Sequence, residues 1–251
     1  MRTYGLIGFP LQHSFSSKFF TEKFAREGID AEYLNFEIED ILQIREVILF
    51  NPNLRGLNVT IPYKEQVIPF LNEITPEAQK IGAVNTIKIE HEYHLTGYNT
   101  DYAGFRSSIE PLIRPGLHQR ALILGTGGAS KAVCQAFEDM GIGWKYVSRT
   151  GANDRFSYNE IDKDILHEYK IIVNCSPLGT FPKTDECPDI PYRFLTRGHL
   201  LYDLVYNPAE TLFLKKGKAQ GATVKNGAEM LELQALAAWE IWTQKTNYPP
   251  L

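Results

Sequence analysis

Residues 120–136 read Arg-Ala-Leu-Ile-Leu-Gly-Thr-Gly-Gly-Ala-Ser-Lys-Ala-Val-Cys-Gln-Ala. The apolar run Ala121-Leu122-Ile123-Leu124 breaks into Gly125-Thr126-Gly127-Gly128, after which Ala129, Ala132, Val133, Ala136, Phe137 and Met140 recur at helical spacing. A strand that ends in glycines and opens a helix can receive a pyrophosphate. The glycines permit a tight turn and close backbone approach, and the helix start offers N–H groups and the positive end of its dipole. Ser130 stands where the Gly-x-Gly-x-x-Gly pattern has its third glycine, so the match is imperfect. A P-loop is excluded, because Ser130-Lys131-Ala132 lacks both the glycine and the hydroxyl of Gly-Lys-Ser/Thr. The alternative is a glycine-rich connection that binds nothing.

Working outward, the 251 residues suffice for one large domain or two modest ones. An apolar share of 43% and a charged share of 22% are ordinary for a soluble globular chain. A net charge of −4 with no basic block argues against nucleic acid or an anionic membrane surface as the main partner. The 3 cysteines, Cys134, Cys175 and Cys187, are far apart and form neither a disulfide framework nor a metal-binding pair. Nothing resembles a signal peptide, since the start runs directly into the strand-like Tyr4-Gly5-Leu6-Ile7-Gly8-Phe9. A cytoplasmic protein without a metal site is expected. His91-Glu92-Tyr93-His94 lacks a third ligand in reach and is taken as a solvated turn.

Along the chain, strand and helix patterns alternate, which predicts mixed or mainly parallel sheets. Strands are expected at 3–9, 31–38 and 54–61, and a hairpin at 83–98 turns near His91-Glu92. Phe15, Phe19, Phe20 and Phe24 share one helical face, and Pro62 suits the first turn of a helix after the third strand. A helix is expected from Thr100-Asp101 to about Ile113. After the glycine-rich strand the alternation resumes, with strands at 145–148, 171–175, 200–204 and 223–225 and a final helix over 228–242. The reading is α/β: one domain over 1–100, on which a C-terminal helix at about 228–251 folds back, and a second over 101–227 that carries the glycine-rich turn.

Several polar residues stand where a purely structural sequence would not put them. Asn58 and Thr60 are two apart on a strand and share a face. Ser14 and Ser16 follow the first strand, and a helix cap accounts for only one of them. Lys64 falls in the first turn of the helix expected after Pro62, where a cation meets the positive dipole end unfavourably. Asp101 at a helix start is stabilising there, so a capping role competes with any other. Gln234 interrupts the apolar stripe Met230, Leu231, Leu233, Leu236, Ala237 and Ile241, and Asn85 poses the same question at a strand start; each buried amide needs partners. After the second strand of the nucleotide unit, Ser148-Arg149-Thr150 stands where an NAD site would show a carboxylate. A guanidinium there suits a 2′-phosphate and favours NADP(H), against the alternative of a surface arginine.

Taken together, Asn58-Val59-Thr60-Ile61-Pro62-Tyr63-Lys64, Gly82-Ala83-Val84-Asn85-Thr86, Gly97-Tyr98-Asn99-Thr100-Asp101 and Gly125-Thr126-Gly127-Gly128-Ala129-Ser130 occur in an order that resembles the shikimate dehydrogenase family. The resemblance extends to Gly8-x-Pro10 with His13-Ser14-x-Ser16, to Asp203-Leu204-Val205-Tyr206-Asn207-Pro208, and to Asn226-Gly227 with Met230-Leu231 and Gln234, covering nearly the whole chain. It implies an N-terminal α/β substrate domain with a mixed sheet, a Rossmann-type NADP-binding domain, and a cleft between them. It further implies reversible NADPH-dependent reduction of 3-dehydroshikimate to shikimate in aromatic amino-acid biosynthesis.

By the same resemblance Lys64 exchanges a proton with the C3 oxygen, and Asp101 orients and electrostatically tunes the lysine and hydrogen-bonds the substrate. Ser14, Ser16, Asn58, Thr60, Asn85, Gln234 and Tyr206 match substrate contacts. Gly125, Thr126, Gly127, Gly128, Ala129, Ser148, Arg149 and Thr150 match the cofactor cradle, and Leu204 and Gly227 lie by the nicotinamide. The chain departs from the family in its loop Cys175-Ser176-Pro177-Leu178-Gly179-Thr180, and in Ser148, where many members carry asparagine. The alternatives are a quinate/shikimate dehydrogenase with relaxed cofactor use, or a non-catalytic nucleotide-binding relative, which would be expected to lose Lys64 or Asp101. A monomer or a homodimer is expected.

Overall fold

The computed structural model describes residues 1–11 and 15–244. In chain order it contains β1 (Arg2–Gly8), α1 (Phe15–Glu27), β2 (Ala31–Glu37), α2 (Ile44–Phe50), β3 (Leu54–Val59), β4 (Glu73–Ile74), α3 (Pro76–Ile81), β5 (Thr86–Ile89), β6 (Leu95–Tyr98), α4 (Thr100–Ile109), β7 (Arg120–Leu124), α5 (Gly128–Asp139), β8 (Gly143–Ser148), β9 (Arg155–Ser157), α6 (Lys163–Glu168), β10 (Ile171–Asn174), β11 (Leu200–Asp203), α7 (Leu212–Ala219), β12 (Thr223–Lys225) and α8 (Ala228–Thr243). Two compact units result: Met1–Thr100 with Gln234–Leu251, and Asp101–Leu233.

The first unit holds a mixed sheet in the order β2-β1-β3-β5-β6-β4, with β5 antiparallel to β3 and β6 and the other pairs parallel. Alternation along the strands sends apolar side chains to both faces, so both must be covered. On one face Ile7, Leu57, Val59 and Ile87 pack with Ile44 and Ile48 of α2 and Ala78 of α3. On the other, Tyr4, Leu6 and Tyr33 pack with Phe20 and Phe24 of α1 and with Ala235, Ala238 and Trp242 of α8. Trp242 stacks on Tyr4 at 4.9 Å between ring centroids, and its indole N–H donates to the Ile87 carbonyl at 2.9 Å. Gly56 makes this seat possible: a Cβ there would stand 2.2 Å from Trp242 Nε1.

The helix expected after Pro62 does not form. Residues 61–67 are turns, followed by a short 3-10 segment, Ile68–Phe70. One turn bond is made, Val67 N–H to the Tyr63 carbonyl at 2.9 Å, but the Lys64 carbonyl is taken by Val84 N–H at 2.7 Å, and the Tyr63 hydroxyl anchors the segment by donating to the Ile38 carbonyl at 2.6 Å. Lys64 therefore does not sit against a helix dipole, and that argument for its unusual placement falls away. Its carbonyl instead ties it to the chain beside Asn85.

The second unit is a doubly wound parallel sheet in the order β12-β11-β10-β7-β8-β9, with every strand pair parallel. Numbered within the sheet in chain order, the strands run 3-2-1-4-5-6 from β9 to β12, the dinucleotide-binding arrangement with its switch point between β7 and β10. Ala121 and Ile123 face Phe105 and Ile109 of α4 and Val133 and Phe137 of α5. Leu122 and Leu124 face Leu166 of α6 and Phe213 and Leu214 of α7. Among the described residues no helix is long and apolar enough to cross a membrane.

Candidate active site

In the first unit, polar side chains collect where β3 and β5 leave the sheet. Asn58 is buried; its Oδ1 accepts from the Tyr33 hydroxyl at 2.7 Å, and its Nδ2 donates to Thr86 Oγ1 at 3.2 Å and to the Asn85 carbonyl at 3.4 Å. Ser16 hydrogen-bonds the same Tyr33 hydroxyl, whose titration is pushed up by burial and opposed by that serine. Asn85 Oδ1 accepts from Thr100 N–H at 2.7 Å, and its Nδ2 donates to Thr100 Oγ1 at 3.0 Å. Thr100 Oγ1 lies 3.5 Å from Gln234 Oε1. Thus Ser16, Asn58, Asn85 and Gln234, far apart in sequence, join one buried network through Tyr33, Thr86 and Thr100. Thr60 follows β3 half-buried, and Lys64, also half-buried, is held to this corner by the Val84–Lys64 backbone bond.

These linkers were invisible in sequence: Tyr33 reads as one more aromatic of an edge strand, and Thr86 and Thr100 as ordinary strand and helix-start residues. Asn85, conversely, is engaged by the first residue of α4, directly before Asp101. Asp101 itself is buried in the first turn of that helix. Tyr206 is exposed in the second unit, after β11. Ser14 lies outside the described residues.

A depression of about 460 Å³ in the first unit, bordered by Arg55, Lys88, Glu90, Tyr93 and Trp242, lies at the opposite end of β3 from Asn58. Its charges are spoken for: Lys88 pairs with Glu90 at 3.2 Å and donates to the Gln244 carbonyl, and Arg55 donates to the Pro52 and Leu54 carbonyls. The chemistry-bearing residues are not there.

In the second unit the candidate cofactor residues follow the carboxyl ends of parallel strands. Gly125 has φ +104°, which favours glycine, and a Cβ there would stand 3.3 Å from the backbone of Cys175 and Ser176 across the switch point. Thr126 and Gly127 are exposed, and a Cβ at Gly127 would meet no protein atom within 4 Å, so space adjoins the turn. Gly127 is the N-cap of α5 and supplies no side-chain cap, leaving the first-turn N–H groups of Gly128 and Ala129 without that competitor. These features fit a dinucleotide pyrophosphate.

Ser130 explains the missing third glycine. Wholly buried, it donates its one hydroxyl proton to the Gly127 carbonyl at 2.7 Å and stands 3.3 Å from the Tyr146 hydroxyl on β8, so a hydroxyl packs the helix onto the strand where a glycine would serve in the common pattern. After β8, Ser148 Oγ donates to the Thr150 carbonyl at 2.6 Å, and Arg149 and Thr150 are exposed. Arg155, the other arginine near this edge, is bidentate to Asp154. Leu204 and Gly227 follow β11 and β12; Gly227 N–H donates to the Val205 carbonyl, and a Cβ at Gly227 would stand 2.2 Å from Leu204 O.

Comparison with known proteins agrees with both units. Residues 6–87 match the family model for the shikimate dehydrogenase substrate binding domain. The shikimate dehydrogenase (NADP(+)) of Clostridium beijerinckii is 41% identical over an alignment that spans 97% of this chain and 93% of its own. The crystal structure of shikimate dehydrogenase from Aquifex aeolicus superposes with a TM-score of 0.85 at 33% identity, covering 97% of this chain and 92% of that one. That of the Thermus thermophilus enzyme in complex with NADP(H) and shikimate gives 0.84 at 29%, covering 97% and 94%. Since this likeness runs through the polar corner of the first sheet as well as the glycine-rich edge of the second, the chain belongs to the shikimate dehydrogenase family.

Proposed function

We propose that the chain is an NADP-dependent shikimate dehydrogenase, reversibly reducing 3-dehydroshikimate to shikimate in the pathway to chorismate and the aromatic amino acids. The observation that carries this is the 41% identity across 97% of the chain to a relative of that name, in a sequence that keeps both Lys64 and Asp101. Its domains divide accordingly, the first unit taking the substrate and the second the cofactor.

Ser14, Ser16, Asn58, Thr60, Asn85, Tyr206 and Gln234 hold the ring hydroxyls and carboxylate of the substrate. The buried amides suit this work, because each is oriented by protein partners before any ligand arrives. Gly125, Thr126, Gly127, Gly128 and Ala129 hold the pyrophosphate, Ser148, Arg149 and Thr150 the 2′-phosphate, and Leu204 and Gly227 border the nicotinamide. When bound, NADP(H) supplies or accepts the hydride. Lys64 gives a proton to the C3 oxygen in the reductive direction and takes it in the oxidative one, and Asp101 orients the lysine and accepts a hydrogen bond from the substrate. Free Cys134, Cys175 and Cys187 accord with a cytoplasmic setting. The active species is a monomer or a homodimer.

The test is steady-state cofactor reduction by the purified protein, with shikimate or quinate as substrate and NADP or NAD as cofactor. Turnover confined to shikimate with NADP is expected. Comparable rates with quinate or NAD would replace this proposal by a relaxed quinate/shikimate dehydrogenase, and no turnover in any combination would sink the catalytic assignment.

Arg149→Ala is expected to raise the KM for NADP about tenfold, the loss of roughly one charge-assisted contact to phosphate, and to leave NAD within about twofold. Equal losses with both cofactors would make the arginine structural.

A further inference from the structure

At the carboxyl edge of the second sheet, Asn174 and Asp203 end neighbouring strands in one register row with Leu124, the residue before Gly125. Both are wholly buried. Asp203 Oδ1 accepts from Asn174 Nδ2 at 2.9 Å and from Val205 N–H at 3.0 Å, while Oδ2 accepts from the Thr211 hydroxyl at 2.6 Å. A buried carboxylate is costly unless several donors converge on it, and here three donors do, one at the end of β10 and two at the ends of the loop that follows Asp203.

Each of those donors holds a loop. Asn174 Oδ1 accepts from Ser176 N–H at 3.1 Å and Ser176 Oγ at 2.6 Å, and its Nδ2 also reaches the Leu178 carbonyl at 3.3 Å, so it fixes the start of loop 175–180. Val205 and Thr211 bracket loop 204–211, and Phe181 N–H donates to the Asn207 carbonyl, joining the two loops a second time. Loop 175–180 is the one whose backbone crowds Gly125, and Val205 is the residue whose carbonyl receives Gly227 N–H.

We propose that Asp203 is a positioning residue for the dinucleotide site, its carboxylate holding loops 175–180 and 204–211 in register with the turns at Gly125 and Gly227. This rests on the dinucleotide reading of the second unit. It assigns a task to the loop in which this sequence departs from its family: Asn174 and Ser176 shape that loop, and Asp203 fixes Asn174. A purely structural carboxylate would, when removed, lower the melting temperature without altering the affinity of the folded protein for its ligand.

The experiment is NADPH titration of the full chain by fluorescence, beside thermal melts. Asp203→Ala is expected to raise the Kd for NADPH about tenfold or more, since loops displaced by a fraction of an ångström misplace the groups they carry. Asp203→Asn, which keeps an acceptor for Asn174 and Val205, should restore the Kd to within about threefold of wild type. Thr211→Val, which removes one donor and leaves the carboxylate, should raise it severalfold and serves if Asp203→Ala does not fold. A Kd within about twofold of wild type in the folded Asp203→Ala protein, or in Thr211→Val if the former is unfolded, overturns the inference alone. A wild-type chain that binds no NADPH overturns the dinucleotide reading and this inference with it.

Discussion

Lys64→Ala is expected to lower kcat for shikimate oxidation by about 10²–10⁴-fold, the usual contribution of a positioned proton carrier, while KM changes far less. In barrier terms this is about 3–5 kcal/mol, larger than any binding contact proposed for the chain. The substitution keeps the backbone anchor of residue 64, since its carbonyl accepts from Val84 N–H at 2.7 Å whatever the side chain. The flanking anchors, buried Tyr63 and Val67, are untouched. Steady-state kinetics together with a thermal melt separates the outcomes. An unchanged kcat would remove the lysine from the chemistry, and a collapsed melting temperature would show that the side chain holds the turn at 61–67.

The second large effect is on stability against pH. Burial pushes the Asp203 carboxyl up to about 6 from the ordinary 3.8, against the lowering by hydrogen bonds from Thr211, Val205 and Asn174. Because the folded value lies above the unfolded one, the protonated carboxyl favours the folded state. That contribution is complete below 3.8 and is lost as pH rises through about 6. The gap corresponds to about 3 kcal/mol. Asp203→Asn stays neutral throughout, so its stability relative to wild type should rise by about 3 kcal/mol between about pH 3 and about pH 7 in urea titrations. A constant difference across that window would mean that the carboxyl is ionised in both states, with its donors fully offsetting burial.

Much of this was legible in the sequence, and the illegible part has a common cause. The glycine-rich turn announced itself because a run of apolar residues, a change of period and a cluster of glycines coincide within a few positions, and of these the backbone demands Gly125, at φ +104°. Gln234 was legible as an amide inside an apolar stripe, and the structure buries it beside Thr100. What joins Ser16, Asn58 and Asn85 was not, since Tyr33, Thr86 and Thr100 are unremarkable in their own local patterns and acquire meaning only from partners 14 to 28 residues away. The segment after Pro62 departs from its local pattern for the same reason: its composition suits a helix, but the Lys64 carbonyl accepts from the distant Val84 N–H. Two short strands, β4 and β9, span only 2 and 3 residues, too few for alternation to register in sequence.

The composition of the first unit has a consequence for how the chain is made. One face of its sheet is completed by Ala235, Ala238 and Trp242, although everything else in the unit has been synthesised by Thr100. The second unit is a single uninterrupted stretch, Asp101–Leu233. Domains fold as units while the chain emerges from the ribosome. Here the part translated first must wait, with Tyr4, Phe20, Phe24 and Tyr33 lacking their last partners, until the final helix has cleared the exit tunnel. The later part can already be folded by then. Vectorial synthesis thus reverses the order of completion, and a nascent chain stalled before Gln234 would present an aromatic face for a chaperone to hold.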